Sequence, residues 1–205
     1  MILCVDTTTS AAGITLVDLE EGRTHHHPFA DLNKASETIL SSIDGVLKAA
    51  LATPSDLTGV MAIIGPGSFT GLRIGISVAN QFAHQLNISI LGLRTDEWWK
   101  YRTDERTFVY LQTMNRNEVY VSGKIIPVAD LQDKKIKWLG DVTELQRGQL
   151  PKSYEEILGL RSPELTWKLV AEDRPMQPKK TYELLEPWYG KEPTITKSKR
   201  KLTIG

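Results

Sequence analysis

The sequence predicts an α/β protein, a mixed β-sheet with helices packed on it. Three observations carry that expectation. Apolar runs at residues 2–6, 13–18 and 23–29 are short and joined by tight turns, as in an antiparallel meander. Two further apolar runs, 60–64 and 88–93, each follow a stretch of helical periodicity. The resulting order, β-β-β-α-β-α-β, puts helices on a sheet of mixed direction.

Residues 2–6 end in Asp6 and run into Thr7-Thr8-Thr9-Ser10. A second strand covers 13–18, Glu20-Glu21-Gly22 makes a turn, and 23–29 form a third strand. A helix is expected over 33–50, because Ile39, Leu40, Ile43, Val46, Leu47, Ala50 and Leu51 fall on one side of it. Pro54-Ser55-Asp56 breaks that pattern and leads to the strand at 60–64. A glycine-rich stretch, 65–75, opens a helix over 71–86, and 88–93 form the next strand. Residues 96–102 suit a short helix carrying Trp98 and Trp99. Two strands are expected at 108–112 and 119–126, joined by the polar turn Met114-Asn115-Arg116-Asn117-Glu118. Between 127 and 180 only short, weak elements are legible, and 183–189 form an apolar segment interrupted by Pro187. No internal repeat of fixed period is visible. The expected domains are 1–94, a lobe carrying the first two helices, 95–190, a smaller lobe, and 191–205, a basic flexible tail.

The 205 residues carry a formal net charge of zero, so the whole chain is no polyelectrolyte binder. The basic run Lys197-Ser198-Lys199-Arg200-Lys201 reads as a solvated tail or as one that touches phosphate. Cys4 is the single cysteine, which excludes an internal disulfide and suits a reducing compartment. It sits in an apolar run as a small buried hydrophobe. No apolar run approaches the roughly 18 residues of a membrane span, and Met1-Ile2-Leu3 lacks the basic start of a signal peptide. A cytoplasmic protein with no membrane contact is expected.

Gly65-Pro66-Gly67-Ser68-Phe69-Thr70-Gly71-Leu72-Arg73-Ile74-Gly75 is the most informative stretch. A glycine-rich turn between strand and helix often cradles phosphate. A P-loop, however, needs Lys directly after its second glycine, and Gly71 is followed by Leu72. A dinucleotide fingerprint needs a third glycine where Thr70 stands. The strand-to-helix turn Gly65, Pro66, Gly67, Ser68, Thr70 therefore reads as geometry rather than a cofactor site. In the helix beyond it, Leu72, Ile74, Ile76, Val78, Ala79, Phe82, Ala83 and Leu86 sweep an arc of roughly 200°, about twice what a surface helix needs. Gly71, Gly75, Ala79 and Ala83 form a ridge of small side chains within it, which lets another backbone come close. Such a helix is either sandwiched inside one domain or offers a face to another protein.

Asp6 and the hydroxyl run after it occupy a position that carries metal and phosphate in sugar-kinase and actin-like folds. No glycine lies between Asp6 and Gly13 to let a hairpin wrap a phosphate, so Asp6 reads mainly as a capping or turn residue. His25-His26-His27 lie on a strand, where His25 and His27 share a face, and lack a third ligand. Ser68 has neither nucleophile-elbow spacing nor a base. Trp98, Trp99, Trp138, Trp167 and Trp188 read as core and rim rather than as a platform for bases.

Ile2-Leu3-Cys4-Val5-Asp6-Thr7-Thr8-Thr9, taken with the stretch 65–75, resembles the TsaB (YeaZ) family of bacteria. The likeness runs from Met1 to about Arg94, resumes at Met114-Asn115-Arg116-Asn117-Glu118-Val119-Tyr120, and returns at Glu186-Pro187-Trp188-Tyr189. Residues 128–184 are unmatched. The resemblance implies an actin-like ATPase (ribonuclease H-like) fold of two related lobes, the second degenerate. It implies a non-catalytic subunit that dimerises with a TsaD-like enzyme, which transfers a threonylcarbamoyl group to the adenosine next to the anticodon of certain tRNAs. A TsaE-like ATPase joins through the complex, and tRNA is an indirect partner. No catalytic residue, cofactor or metal carries over. The family's docking surface, chiefly its first two helices, would correspond to Ile39, Leu40, Ile43, Leu47, Gly71, Leu72, Gly75, Ile76, Ala79 and Ala83. An isolated chain with that face bare is expected to pair with itself. The competing expectation is an enzyme, either a small-molecule kinase or ATPase using the actin-like cleft with Asp6 as metal-binding acid, or a peptidase.

Overall fold

The computed structural model describes residues 1–176 and 184–190. The predicted tail 191–205 and residue 183 of the predicted apolar segment lie outside the described residues. β1 (Ile2–Asp6), β2 (Gly13–Asp18) and β3 (Arg23–Pro28) form the expected antiparallel meander. β4 (Gly59–Gly65) pairs parallel with β1, and β5 (Ser89–Arg94) parallel with β4. The sheet order is β3-β2-β1-β4-β5. α1 (Ala35–Ala49) and α2 (Phe69–Leu86) make the two crossovers.

β1 shows why the central strands read as unbroken apolar runs. Leu3 and Val5 point into the core beneath α1 and α2, while Ile2 and Cys4 point into a second core on the other face. A strand covered on both faces needs apolar residues throughout. Burial pushes the Cys4 thiol well above its ordinary range, which makes it an inert packing group. α1 begins after a 3-10 turn at Leu32–Lys34 and ends at Ala49, one residue short of the expected Ala50, with Leu51 beyond it at φ 55°. α2 begins at Phe69 because the Ser68 hydroxyl caps it, accepting from the Gly71 backbone N–H.

α3 (Thr95–Tyr101) leads into a second sheet. Its strands are β6 (Val109–Thr113), β7 (Glu118–Val121), β8 (Lys124–Pro127), β9 (Ile136–Asp141) and β10 (Tyr154–Glu156). Their order, β10-β9-β6-β7-β8, repeats that of the first sheet strand for strand. The directions repeat as well: β6, β7 and β8 are antiparallel neighbours, while β9 and β10 run parallel to β6. The crossovers have shrunk. A 3-10 turn at Val128–Asp130 stands where α1 stands, and α4 (Glu144–Arg147) where α2 stands. The strand expected over 119–126 is two strands, because Ser122 (φ 47°) and Gly123 (φ 87°) turn the chain back as a tight hairpin. α5 (Pro163–Asp173) then packs across β2 and β3, with Ser162 as its cap.

Trp98 and Trp99 of α3, Trp167 of α5, and Tyr110 and Tyr120 of the second sheet meet in one core between the two sheets. Their rings follow one another at centroid distances of 5.6–6.4 Å. Trp98, Trp99, Trp138 and Trp167 are all buried, so none of the four offers a stacking platform. Among the described residues no helix is long and apolar enough to cross a membrane.

Candidate functional site

The two motifs singled out by sequence dock into each other. The turn after β1 sits in the crook of the glycine stretch. Thr7 Oγ1 donates to the Gly71 carbonyl at 2.7 Å, and the Ser68 N–H donates to Thr8 Oγ1 at 2.8 Å. Thr95 Oγ1 of α3 donates to the Pro66 carbonyl at 2.6 Å. A Cβ on Gly67 would overlap Thr8 Oγ1, one on Gly71 the Thr7 carbonyl oxygen, and one on Gly75 Thr7 Oγ1. Gly65 is held at φ 118°, and a Cβ there would overlap the Trp188 carbonyl oxygen. The space these glycines create is filled by the chain itself.

Asp6 ends β1 and is 1% exposed. Its Oδ1 accepts from the N–H groups of Thr8 (2.9 Å) and Thr9 (3.1 Å), and its Oδ2 accepts from the Thr9 hydroxyl. Burial raises its pKa to about 6 in spite of these hydrogen bonds. Asp141 at the end of β9 accepts from the Ser10 N–H at 3.1 Å and is likewise raised by burial. Arg102 packs its guanidinium against Trp98 and Trp99, at 5.2 and 5.4 Å. Its Nε and Nη1 are buried without a hydrogen-bond partner, and the nearby acids offset only part of the burial that lowers its pKa. The cavities of about 410, 220, 420 and 440 Å³ are lined by β5, α3 and second-lobe residues, and Asp6 lines none of them.

Of the ten residues expected to form a partner interface, nine are buried within this chain. They are Ile39, Ile43 and Leu47 of α1, and Gly71, Leu72, Gly75, Ile76, Ala79 and Ala83 of α2. The small-residue ridge faces its own sheet, because helix-on-sheet packing is the closest approach α2 makes. Leu40 alone stays on the surface, 62% exposed. On α1 it lies about 140° around the axis from Gly45, whose flank faces His27 of β3. That turns Leu40 away from β3. On α2 a stripe of Ile74, Val78 and Phe82 is only half-buried. These three occupy the end of the 200° arc opposite Phe69, Arg73 and Asn80, which touch the C-terminal segment. The small residues of the arc mark the sheet side, Gly71 and Gly75 lying against Thr7.

The segment 184–190 straps the other flank of α2. Asn80 Nδ2 donates to the Leu185 carbonyl at 3.0 Å and its Oδ1 accepts from the Leu185 N–H at 2.9 Å. Tyr189 stacks on Phe69 (4.7 Å) and accepts from Arg73 Nε (3.0 Å). His26 Nδ1 bonds Thr15 Oγ1 at 2.8 Å, and the described residues hold no cluster of three metal-ligating side chains.

A family model described as TsaD, tRNA N6-adenosine threonylcarbamoyltransferase, matches residues 28–174. The chain is 26% identical over 129 residues to the tRNA threonylcarbamoyladenosine biosynthesis protein TsaB of Bacillus subtilis, covering 63% of this chain and 49% of that protein. It is 30% identical over 94 residues to the Escherichia coli protein of the same name, covering 46% and 40%. The chain thus spans about half the length or less of these curated relatives. A solved structure from Pseudomonas aeruginosa, described as an uncharacterized protein with similarity to peptidase YEAZ, superposes with a TM-score of 0.71 at 19% identity. It covers 93% of this chain and 99% of that one. Two mixed sheets of one strand order, together with that likeness, make the fold actin-like (ribonuclease H-like).

Proposed function

Because the chain belongs to the TsaD family and, within it, to the TsaB (YeaZ) proteins, we propose that it is a non-catalytic partner subunit in the threonylcarbamoylation of tRNA. It binds a TsaD-type transferase and supports its action on the adenosine next to the anticodon. A TsaE-type ATPase and the tRNA are reached through that complex, in the cytoplasm. One observation carries the non-catalytic part. The crook that would cradle phosphate is occupied by Thr7 and Thr8, and the adjacent acid spends both oxygens on its own turn. Freeing Asp6 for a metal would cost three hydrogen bonds and the docking of α2 on the β1 turn.

The docking surface assigned to the partner is the seam between α1 and α2, with Leu40 on one side and Ile74, Val78 and Phe82 on the other. Apolar side chains left half-covered between two helices suit an apolar partner face. The isolated chain is expected to pair with itself through the same seam. A large residue at Ala79 would not test this, since it would break the core. Leu40→Glu tests it, because the side chain is mostly in water and its loss leaves folding intact. Co-expression with the TsaD-type protein of the same cell, followed by sizing, is expected to give a complex for the parent chain and none for the variant. An unweakened complex, with thermal unfolding unchanged, overturns the surface. Tight magnesium-dependent ATP binding that is lost in Asp6→Ala overturns the non-catalytic reading.

A further inference from the structure

A cavity of about 410 Å³ opens beside α3, lined by residues other than those of the α1–α2 seam. Its size lies in the range of small-ligand sites. Arg94, Lys100 and Arg106 line it together with Phe108, Tyr110 and Tyr120. One wall is built in advance. Arg94 Nε donates to Asp96 Oδ1 at 3.0 Å, and its Nη2 donates to the Tyr120 hydroxyl at 2.7 Å. The Tyr120 hydroxyl in turn donates to Asp96 Oδ2 at 3.2 Å, and the Arg94 guanidinium lies 3.9 Å over the Trp188 ring. Asp96, the one acid of the lining, is therefore committed to Arg94 and Tyr120. Lys100 and Arg106 line the same cavity and form no ion pair with a described residue. Two cations without an ion pair among the described residues thus share a concavity with the half-buried Phe108 ring, while Tyr110 and Tyr120 lie buried behind it.

We propose that this cavity binds a nucleotide, its phosphate taken by Lys100 and Arg106 and its base laid against the half-buried Phe108 ring. Lys and Arg supply charge-assisted hydrogen bonds to phosphate oxygens. A base gains from an aromatic face whatever its sequence identity. The nucleotide is either free or a residue of single-stranded RNA, and the chemistry recognised is the same. The site is separate from the docking seam, so its failure leaves the proposed function standing. The test is calorimetric titration of the full chain with adenosine 5′-monophosphate, with inorganic phosphate and with a short single-stranded RNA. Lys100→Gln and Arg106→Gln, together, serve as the variant. Both side chains are exposed, so thermal unfolding is expected to be unchanged. The expected result is binding of the monophosphate that weakens at least about tenfold in the variant and falls with added salt. Tighter binding of RNA under the same variant dependence assigns the source as RNA, and equal or weaker binding assigns it as free nucleotide. Absence of monophosphate and RNA binding at millimolar concentration overturns the proposal. So does equal affinity of parent and variant, or binding of inorganic phosphate as tight as that of the monophosphate.

Discussion

Asp6→Asn is expected to make the protein more stable at neutral pH. The carboxylate is sealed from water and its pKa is raised from the ordinary 3.8 to about 6, burial outweighing the hydrogen bonds from Thr8 and Thr9. A raised carboxyl pKa means that the folded state holds its proton more tightly than the unfolded chain does. The stability this supplies is fully present below about pH 4 and is lost as pH rises through about 6. A difference of about two pKa units corresponds to about 3 kcal/mol carried as a penalty at neutral pH. Asparagine imitates the protonated acid. Its carbonyl keeps the bonds from the Thr8 and Thr9 N–H groups. Its amide meets the Thr9 hydroxyl, which must turn round to accept, at a cost of about 1 kcal/mol. The variant should therefore exceed the parent by about 2 kcal/mol near pH 7.5 and fall about 1 kcal/mol below it near pH 4. Urea unfolding of both proteins across that range measures the gap, and groups common to both cancel. A gap that does not change with pH refutes the reasoning. A variant less stable than the parent near pH 7.5 refutes it as well, and shows the carboxylate to be held charged by its turn.

Gly75→Ala is expected to destabilise by about 1–3 kcal/mol, because its methyl overlaps Thr7 Oγ1. Adding Thr7→Ala should return part of that loss in urea melts, since the new methyl then meets Val5 Cγ1 at 3.4 Å and the residue-7 Cβ at 3.5 Å, both ordinary contacts. Asn80→Ala removes both hydrogen bonds to Leu185 and should cost about 1–3 kcal/mol, with faster proteolysis near Leu185 as the second readout. Amide exchange in β6–β10 should outpace that in β1–β5, because the second sheet's crossovers are a 3-10 turn and a helix of four residues.

The first sheet and its helices were legible because their strands are covered on both faces and their helices are long. β1 and β4 are apolar at nearly every position, and α2 keeps its periodicity over five turns. The second lobe was not, and the reason is physical. Its strands are short, Tyr154–Glu156 has no apolar alternation, and the repeat lies in strand order rather than in any period of residues. α5 did carry a signal that went unread: Ser162 before Pro163 and Glu164 is a cap, a first-turn proline and a first-turn acid. The glycine stretch shows the limit of local reading. That Gly71 and Gly75 make room for something follows from the residues. That the something is Thr7, 64 residues earlier, does not.

The circumference of α2 decides where a partner can sit. At about 100° per residue, Gly71, Leu72, Gly75, Ile76, Ala79 and Ala83 take the side facing the sheet. Phe69, Arg73 and Asn80 take the flank under the C-terminal strap. Ser77, Gln81, His84 and Gln85 face water. Thr70 is also exposed, and the remaining apolar positions, Ile74, Val78, Phe82 and Leu86, are only half-covered. The wide apolar arc is thus the sum of two surfaces, a sheet contact that the chain completes by itself and a seam it leaves partly open. An interface argued from the whole arc counts the sheet contact twice; one argued from the seam uses only side chains that a partner can reach.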